Sequence, residues 1–326
     1  VTVEPKDRFD LIPSPDAERA FLDALDRGRL HHAWLLCGPE GLGKATFAYR
    51  AARRLLGAAP DETRGPLGAA PGDPVSQLVS ARSHPDLMVL ERLSEGSRVK
   101  KSISVDQARD LPEFFSKSPS RAAWRVAIVD AADDLNPNAA NALLKTLEEP
   151  PERGVLFLVS HAPGRLLATI RSRCRRLSFA PWDEEVVATL VARQTDLGGE
   201  EAARIAGMAR GSPGAALALA TEANLAMDRL ARRWVDEPEL DRAEQMAISD
   251  TFRGADGQWR FEALMDRLSA AVKARALDAG DGAAWAELWT RLSELPDRTA
   301  AVNLDRADVL SGALADLARV KAMSRS

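Results

Sequence analysis

Hydrophobic and polar positions follow two different rhythms along the chain. Up to about residue 180, short apolar runs alternate with segments of helical spacing. Between Asp16 and Gly28 the apolar residues Ala20, Phe21, Ala24 and Leu25 recur at helical intervals, and Gly28 supplies a stop. The run AWLLC at 33–37 is continuously apolar and ends in a glycine-rich turn, the pattern of a strand buried on both faces. A helix is predicted over 45–56, and further strand-like runs lie at 86–90, 125–129 and 154–159. The clearest helices between them span 104–116 and 138–149, while residues 57–74, dense in Gly, Pro and Ala, read as a loop excursion. Strands alternating with helices predict a parallel sheet flanked by helices.

Beyond Pro181 the rhythm becomes helical throughout, rich in Ala, Leu, Arg and Glu, with no β-branched run long enough for a strand. Breaks are expected at 197–199, 211–213, 237–238, 254–257, 279–282 and 295–297. They divide the region into a small helical unit over 182–222 and an all-α bundle over 223–326, behind an α/β core at 1–181. Trp234, Trp259, Trp285 and Trp289 all fall in helical patterns, and for Trp285 with Leu288 or Trp289, at i, i+3 and i+4, core or inter-subunit packing suits better than base stacking.

Composition narrows the classes. With 45% hydrophobic residues among 326, the chain can bury a sizeable core, which argues against a wholly disordered protein. Lys and Arg total 44 against 48 Asp and Glu, so contact with nucleic acid or an anionic membrane has to come from a local patch. Two cysteines, Cys37 and Cys174, rule out a disulfide framework and suit a reducing cytosol. No apolar stretch approaches the roughly 18 residues that span a bilayer. The first ten residues, VTVEPKDRFD, lack a signal-like run, so a cytoplasmic protein is expected, with no membrane partner.

Residues 38–46 read GPEGLGKAT, the G-x-x-x-x-G-K spacing of a phosphate-binding loop, set between the 33–37 strand and the next helix. Gly38, Gly41 and Gly43 allow backbone N–H groups to turn inward, Lys44 would reach terminal phosphates, and the helix N-terminus adds positive charge. Ala45 stands where a Ser or Thr would ligate Mg²⁺, and a methyl group cannot do so. Thr46 comes one position late, about 100° round the helix. The strand VAIVDA ends in Asp130, suited to a metal-bound water, but Ala131 follows where related ATPases carry a glutamate that activates water. Asp133 and Asp134 read as a solvated cap. These residues suit either a retained ATP or ADP site, weak or without turnover, or a glycine-rich turn that has lost its ligand. Efficient hydrolysis is not expected from either, and a role for Mg²⁺ stays open.

The stretches AANALLKTLEEPP (139–151) and GVLFLVSHAPGRLLATIRSRCRRLSF (154–179) resemble the bacterial clamp-loader family of AAA+ proteins, part of the DNA polymerase III holoenzyme. HHAWLLCGPEGLGKAT, the SHPDL at 83–87 and SISVDQARDL at 102–111 extend the likeness over most of the first 180 residues. The resemblance implies an AAA+ P-loop core, a helical lid at 182–222 and a C-terminal collar at 223–326. It implies that Arg173, in the Ser172–Arg173–Cys174 triplet, is an arginine finger reaching the ATP site of a neighbouring subunit. Ser160 matches a sensor position, and Gly214 and Ala215 lie where hydrolysing relatives carry a second sensor arginine. Implied partners are motor (gamma/tau-type) and delta-type subunits in a heteropentamer, with the sliding clamp and primed DNA reached through the complex. The expected role is a non-motor stator in clamp loading. The alternative is an ATP-hydrolysing motor subunit or another AAA+ ATPase. Residues 57–83 contain no cysteine, unlike relatives with a four-cysteine module there, so no zinc is expected. His84 before Pro85 reads as a rigid strand entry.

Overall fold

Ser14 caps the first helix through its side chain, and proline occupies the first turn, so α1 (Pro15–Asp26) starts where its N–H groups find an acceptor. The run AWLLC forms β1 (Ala33–Cys37), buried along its whole length, and α2 (Lys44–Leu56) follows the glycine-rich turn. The computed structural model describes residues 3–12, 14–95, 98–237, 241–254, 257–278, 282–302 and 304–324.

The expected excursion at 57–74 is ordered through polar contacts and closes with a short helix, α3 (Pro74–Ser80). Next come β2 (Leu87–Glu91), a small antiparallel pair, β3 (Ser94–Glu95) and β4 (Arg98–Val99), and α4 (Val105–Ser116), which opens with a Ser104–Gln107 capping box. Then β5 (Arg125–Asp130), α5 (Pro137–Glu148), β6 (Gly154–Ser160), the short α6 (Ala168–Ser172) and β7 (Arg175–Ser178) complete the sheet.

The five long strands run parallel in the order β2-β5-β6-β1-β7. Numbered by position in the chain that order is 2-3-4-1-5, a parallel sheet flanked by helices as expected. Alternation along each strand builds two cores. Trp34 and Leu36 join Phe21, Phe47 and Phe157 on one face, while Leu35 and Cys37 join Leu111, Leu143 and Leu158 on the other. The carboxyl ends of β1, β5 and β6 share one edge, where an open α/β sheet places its ligand crevice.

Contacts divide the chain into two compact units, Val1–Leu217 and Ala218–Ser326. The first holds the sheet together with α7 (Glu184–Gln194) and α8 (Gly199–Ala209), and α9 (Pro213–Leu219) leads out of it. The second is helical among its described residues: α10 (Glu222–Asp236), α11 (Arg242–Asp250), α12 (Gly257–Asp278), α13 (Gly282–Val302) and α14 (Arg306–Met323). Its own core gathers Trp234, Phe261, Met265, Trp285, Leu288 and Leu317.

Several expectations change. α13 runs unbroken through Pro296, where a stop at 295–297 was expected, because Leu288, Leu292 and Thr299 stay buried on either side of the proline. Trp234 and Trp285 are core residues whose indole N–H groups donate to Glu244 and Ser324. Trp259 is half exposed. The expected breaks at Pro238 and at 279–281 lie outside the described residues.

Candidate functional site

The site begins with backbone conformation. Gly41 and Gly43 adopt φ of +77° and +80°, which lets the loop curl into the first turn of α2. Gly38 passes so close to Phe179 that a Cβ there would lie 2.4 Å from the Phe179 carbonyl oxygen. Lys44 opens α2 and is buried, and its Nζ donates to the carbonyls of Gly38 at 2.7 Å and Pro39 at 2.5 Å. Burial lowers its pKa to about 8, opposed by the nearby carboxylates of Asp130, Glu40 and Asp133. Asp130, at the end of β5, has its pKa raised, chiefly by the same burial.

The sheet thus brings Gly38, Gly41, Gly43, Lys44, Asp130 and Ser160 to one edge. Ala45 and Thr46 sit in the first turn of α2, Ala45 partly against the core and Thr46 buried. Ser160 is fully buried, and its hydroxyl donates to Asp133 at 2.9 Å. Asp133 also accepts from the backbone N–H groups of His161 at 2.6 Å and Ala162 at 3.2 Å. This acid, expected to be a solvated cap, is a bracket joining the ends of β5 and β6. A side chain whose partners lie 27 to 29 residues away leaves no local sequence signal.

The segment after α8 closes over the loop. Ser212 Oγ donates to the Glu40 carbonyl at 3.0 Å, and the Gly214 N–H donates to the Gly41 carbonyl at 2.9 Å. A Cβ on Gly214 would lie 2.8 Å from Gly41 Cα and 2.9 Å from its oxygen. Only glycine fits this approach without displacement.

A fit to Mg²⁺-nucleotide chemistry is therefore poor. Position 45 offers no hydroxyl, position 131 no carboxylate, and the backbone of residue 214 rests on the loop itself. Beside the loop, Glu40, Asp130, Ala131 and His161 line a cavity of about 240 Å³. Among the described residues, no three His, Cys, Asp or Glu side chains gather where a metal ion could be held.

Arg173 lies elsewhere. It ends α6 just before β7, and Glu148 ends α5 just before β6, so both stand at the amino ends of parallel strands, away from the edge that carries Gly38. Its guanidinium pairs with Glu148 at 3.1 Å and donates to the Thr169 carbonyl at 3.1 Å. Both members of the pair reach solvent. Arg175 stacks over Trp34, with its guanidinium carbon 4.8 Å from the ring centroid. Cys174 packs beside the second core, and burial pushes its thiol up to about 12.

Residues 14–183 match a family described as DNA polymerase III, delta subunit. That span is more than half of the chain. The chain belongs to this DNA polymerase III subunit family. It is 43% identical over 148 residues to DNA polymerase III subunit delta′ of Pseudomonas aeruginosa, covering 45% of this chain and 43% of that protein. It is 36% identical over 205 residues to subunit delta′ of Escherichia coli, covering 63% and 59% respectively. The chain thus spans about half the length of the curated relatives it matches. A DNA polymerase III gamma subunit-related protein from Thermotoga maritima shares the fold, with a TM-score of 0.52 at 18% identity, over 92% of this chain and 99% of that one. Among the described residues, no helix is long and apolar enough to cross a membrane.

Proposed function

We propose that this chain is a non-motor subunit of the sliding-clamp loader that serves the replicative DNA polymerase. In this reading its own P-loop is a structural joint, and its contribution to ATP turnover is made in trans by Arg173. The observation that carries the reading is the backbone contact of Gly214 with Gly41, at the position where hydrolysing relatives would present a second sensor arginine. Ala45 and Ala131 remove the metal ligand and the water-activating acid from the same loop. Arg173 stands at the amino ends of the strands, so it cannot serve this chain's own loop, but a neighbouring subunit stacked on that edge would receive it. A permanently charged planar fork is suited to neutralising a γ-phosphate across such a boundary.

The partners in this reading are gamma/tau-type and delta-type subunits in a heteropentamer, and through them the clamp and primed DNA. Segment 182–222 is the lid and 223–326 the collar. Any ATP or ADP held at Lys44 is bound weakly and not hydrolysed.

Arg173→Ala in the assembled complex is the direct test. Hydrolysis at the affected site is expected to fall roughly tenfold or more, with assembly unchanged. Normal ATPase and clamp loading would refute the role. The purified chain alone should hydrolyse no more ATP than a Lys44→Ala control, and robust turnover would instead favour a motor subunit.

A further inference from the structure

At the same amino-end edge of the sheet, away from the P-loop, three independently pinned walls enclose a second cavity of about 450 Å³. One wall is the last turn of α2, carrying Arg54 and ending at Gly57 in the left-handed conformation. The second is α3, whose start is fixed by Asp73 accepting from the N–H groups of Val75 and Ser76, both at 2.9 Å. The third is the loop before β5. Asp86 holds that loop by accepting from the N–H groups of Ser120 at 2.7 Å, Arg121 at 2.7 Å and Ala122 at 3.0 Å. His84, also on the wall, accepts the Asp86 N–H at its Nδ1, which leaves its ring proton on Nε2. The SHPDL segment is thus a clamp for a loop 34 to 36 residues downstream, as well as a strand entry.

The lining combines hydrocarbon with unspent charge. Leu25, Leu78 and Trp124 contribute apolar surface. Arg54 and Arg121 border the same space, and neither guanidinium makes a hydrogen bond or ion pair with any described residue. The buried arginines Arg50 and Arg125 of the same unit, by contrast, are held by carboxylate and carbonyl acceptors. Two free planar forks at one cavity match carboxylate or phosphate, both of which they bind bidentately, and the apolar lining beside them favours a peptide carrying carboxylates. A nucleic-acid backbone would instead need a row of cations along an open face, and its phosphates would leave the apolar floor uncovered.

We propose that this cavity docks an acidic peptide segment of a protein partner, with an apolar side chain on the Leu25–Leu78–Trp124 floor and flanking carboxylates on Arg54 and Arg121. Because the walls are already fixed, little ordering is required on binding. The volume lies within the roughly 300–1,000 Å³ typical of ligand pockets.

The test uses the full chain. A displayed library of random short peptides is selected on it, and the enriched sequences are measured by fluorescence anisotropy against wild type, R54Q/R121Q and L78D, with melting curves as a folding control. Enrichment of an aliphatic or aromatic residue flanked by Asp or Glu is expected. Affinity should fall roughly tenfold or more in R54Q/R121Q, about 1.4 kcal/mol. Both arginines reach the surface of the cavity, so this variant is expected to fold even if L78D does not. No enrichment, a consensus without acids, or equal binding by R54Q/R121Q would overturn the proposal. So would a labelled single-stranded oligonucleotide that outcompetes the peptides and loses its own binding in that variant, which would assign the cavity to nucleic acid.

Discussion

Lys44 keeps the cation of a phosphate loop in surroundings that work against its charge. Its pKa is about 8 in the folded chain, lowered by burial despite Asp130, Glu40 and Asp133, against 10.5 for an unperturbed lysine. Between those values the unfolded chain binds a proton that the folded chain has released, so stability rises with pH across that window. Below about pH 8 both states are protonated and the penalty is constant. Lys44→Met is expected to abolish the rise in denaturant midpoints between pH 8 and 10.5, without lowering stability at neutral pH. An unchanged slope in the variant would place the titrating group elsewhere.

Among the elements, α1 and α2 are joined by a charge pair that periodicity does not announce. Glu18 and Arg50 are both buried, with Nε to Oε1 at 2.6 Å and Nη2 to Oε2 at 3.1 Å. Arg50 also donates to the carbonyls of Phe9 at 3.0 Å and Arg64 at 2.6 Å, while Glu18 accepts the Leu67 N–H at 2.9 Å. The pair ties the N-terminal segment and the 57–73 excursion to the core. Glu18→Gln keeps the shape but leaves a buried guanidinium without its counter-charge, a loss of about 3–5 kcal/mol. Denaturant unfolding would measure that loss, and faster proteolytic cleavage within 57–73 is expected alongside it.

The same pair marks the limit of what pattern reveals. α1, α2, α4, α5 and four of the five long strands were legible because their apolar residues repeat at the period of the element. The excursion was not, because polar groups distant in sequence order it. β7 was missed since its four residues, Arg175–Ser178, expose three side chains and form no apolar run. In the candidate site, Lys44 follows from the consecutive strand–loop–helix pattern and Asp130 from the apolar strand that ends in an acid. The Asp133 bracket and the Gly214 contact depend on tertiary approach and leave no local trace.

For the whole molecule, two units with separate cores carry separate thermodynamics. Every residue of the candidate site belongs to Val1–Leu217, while Phe261, 1% exposed and edge-on to Phe252 at 5.5 Å, anchors the second core. Phe261→Ala is expected to cost about 3–5 kcal/mol in that unit. Calorimetry should resolve this as one transition moving down while the other holds, a departure from two-state unfolding. A single transition shifting as a whole would mean that the two cores melt together.

The contact between Gly214 and Gly41 bears on reversibility. Placing Ser at 45 and Glu at 131 supplies two chemical groups but leaves the loop covered by backbone. Adding an arginine at 214 forces a Cβ into a space 2.8 Å from Gly41 Cα, so the 212–214 segment must first retreat. Each change is unrewarded without the others, and A45S/A131E is expected to hydrolyse ATP no faster than the unaltered chain. A descent from hydrolysing ancestors would then have passed a ratchet, with the way back barred by two glycines lying against each other.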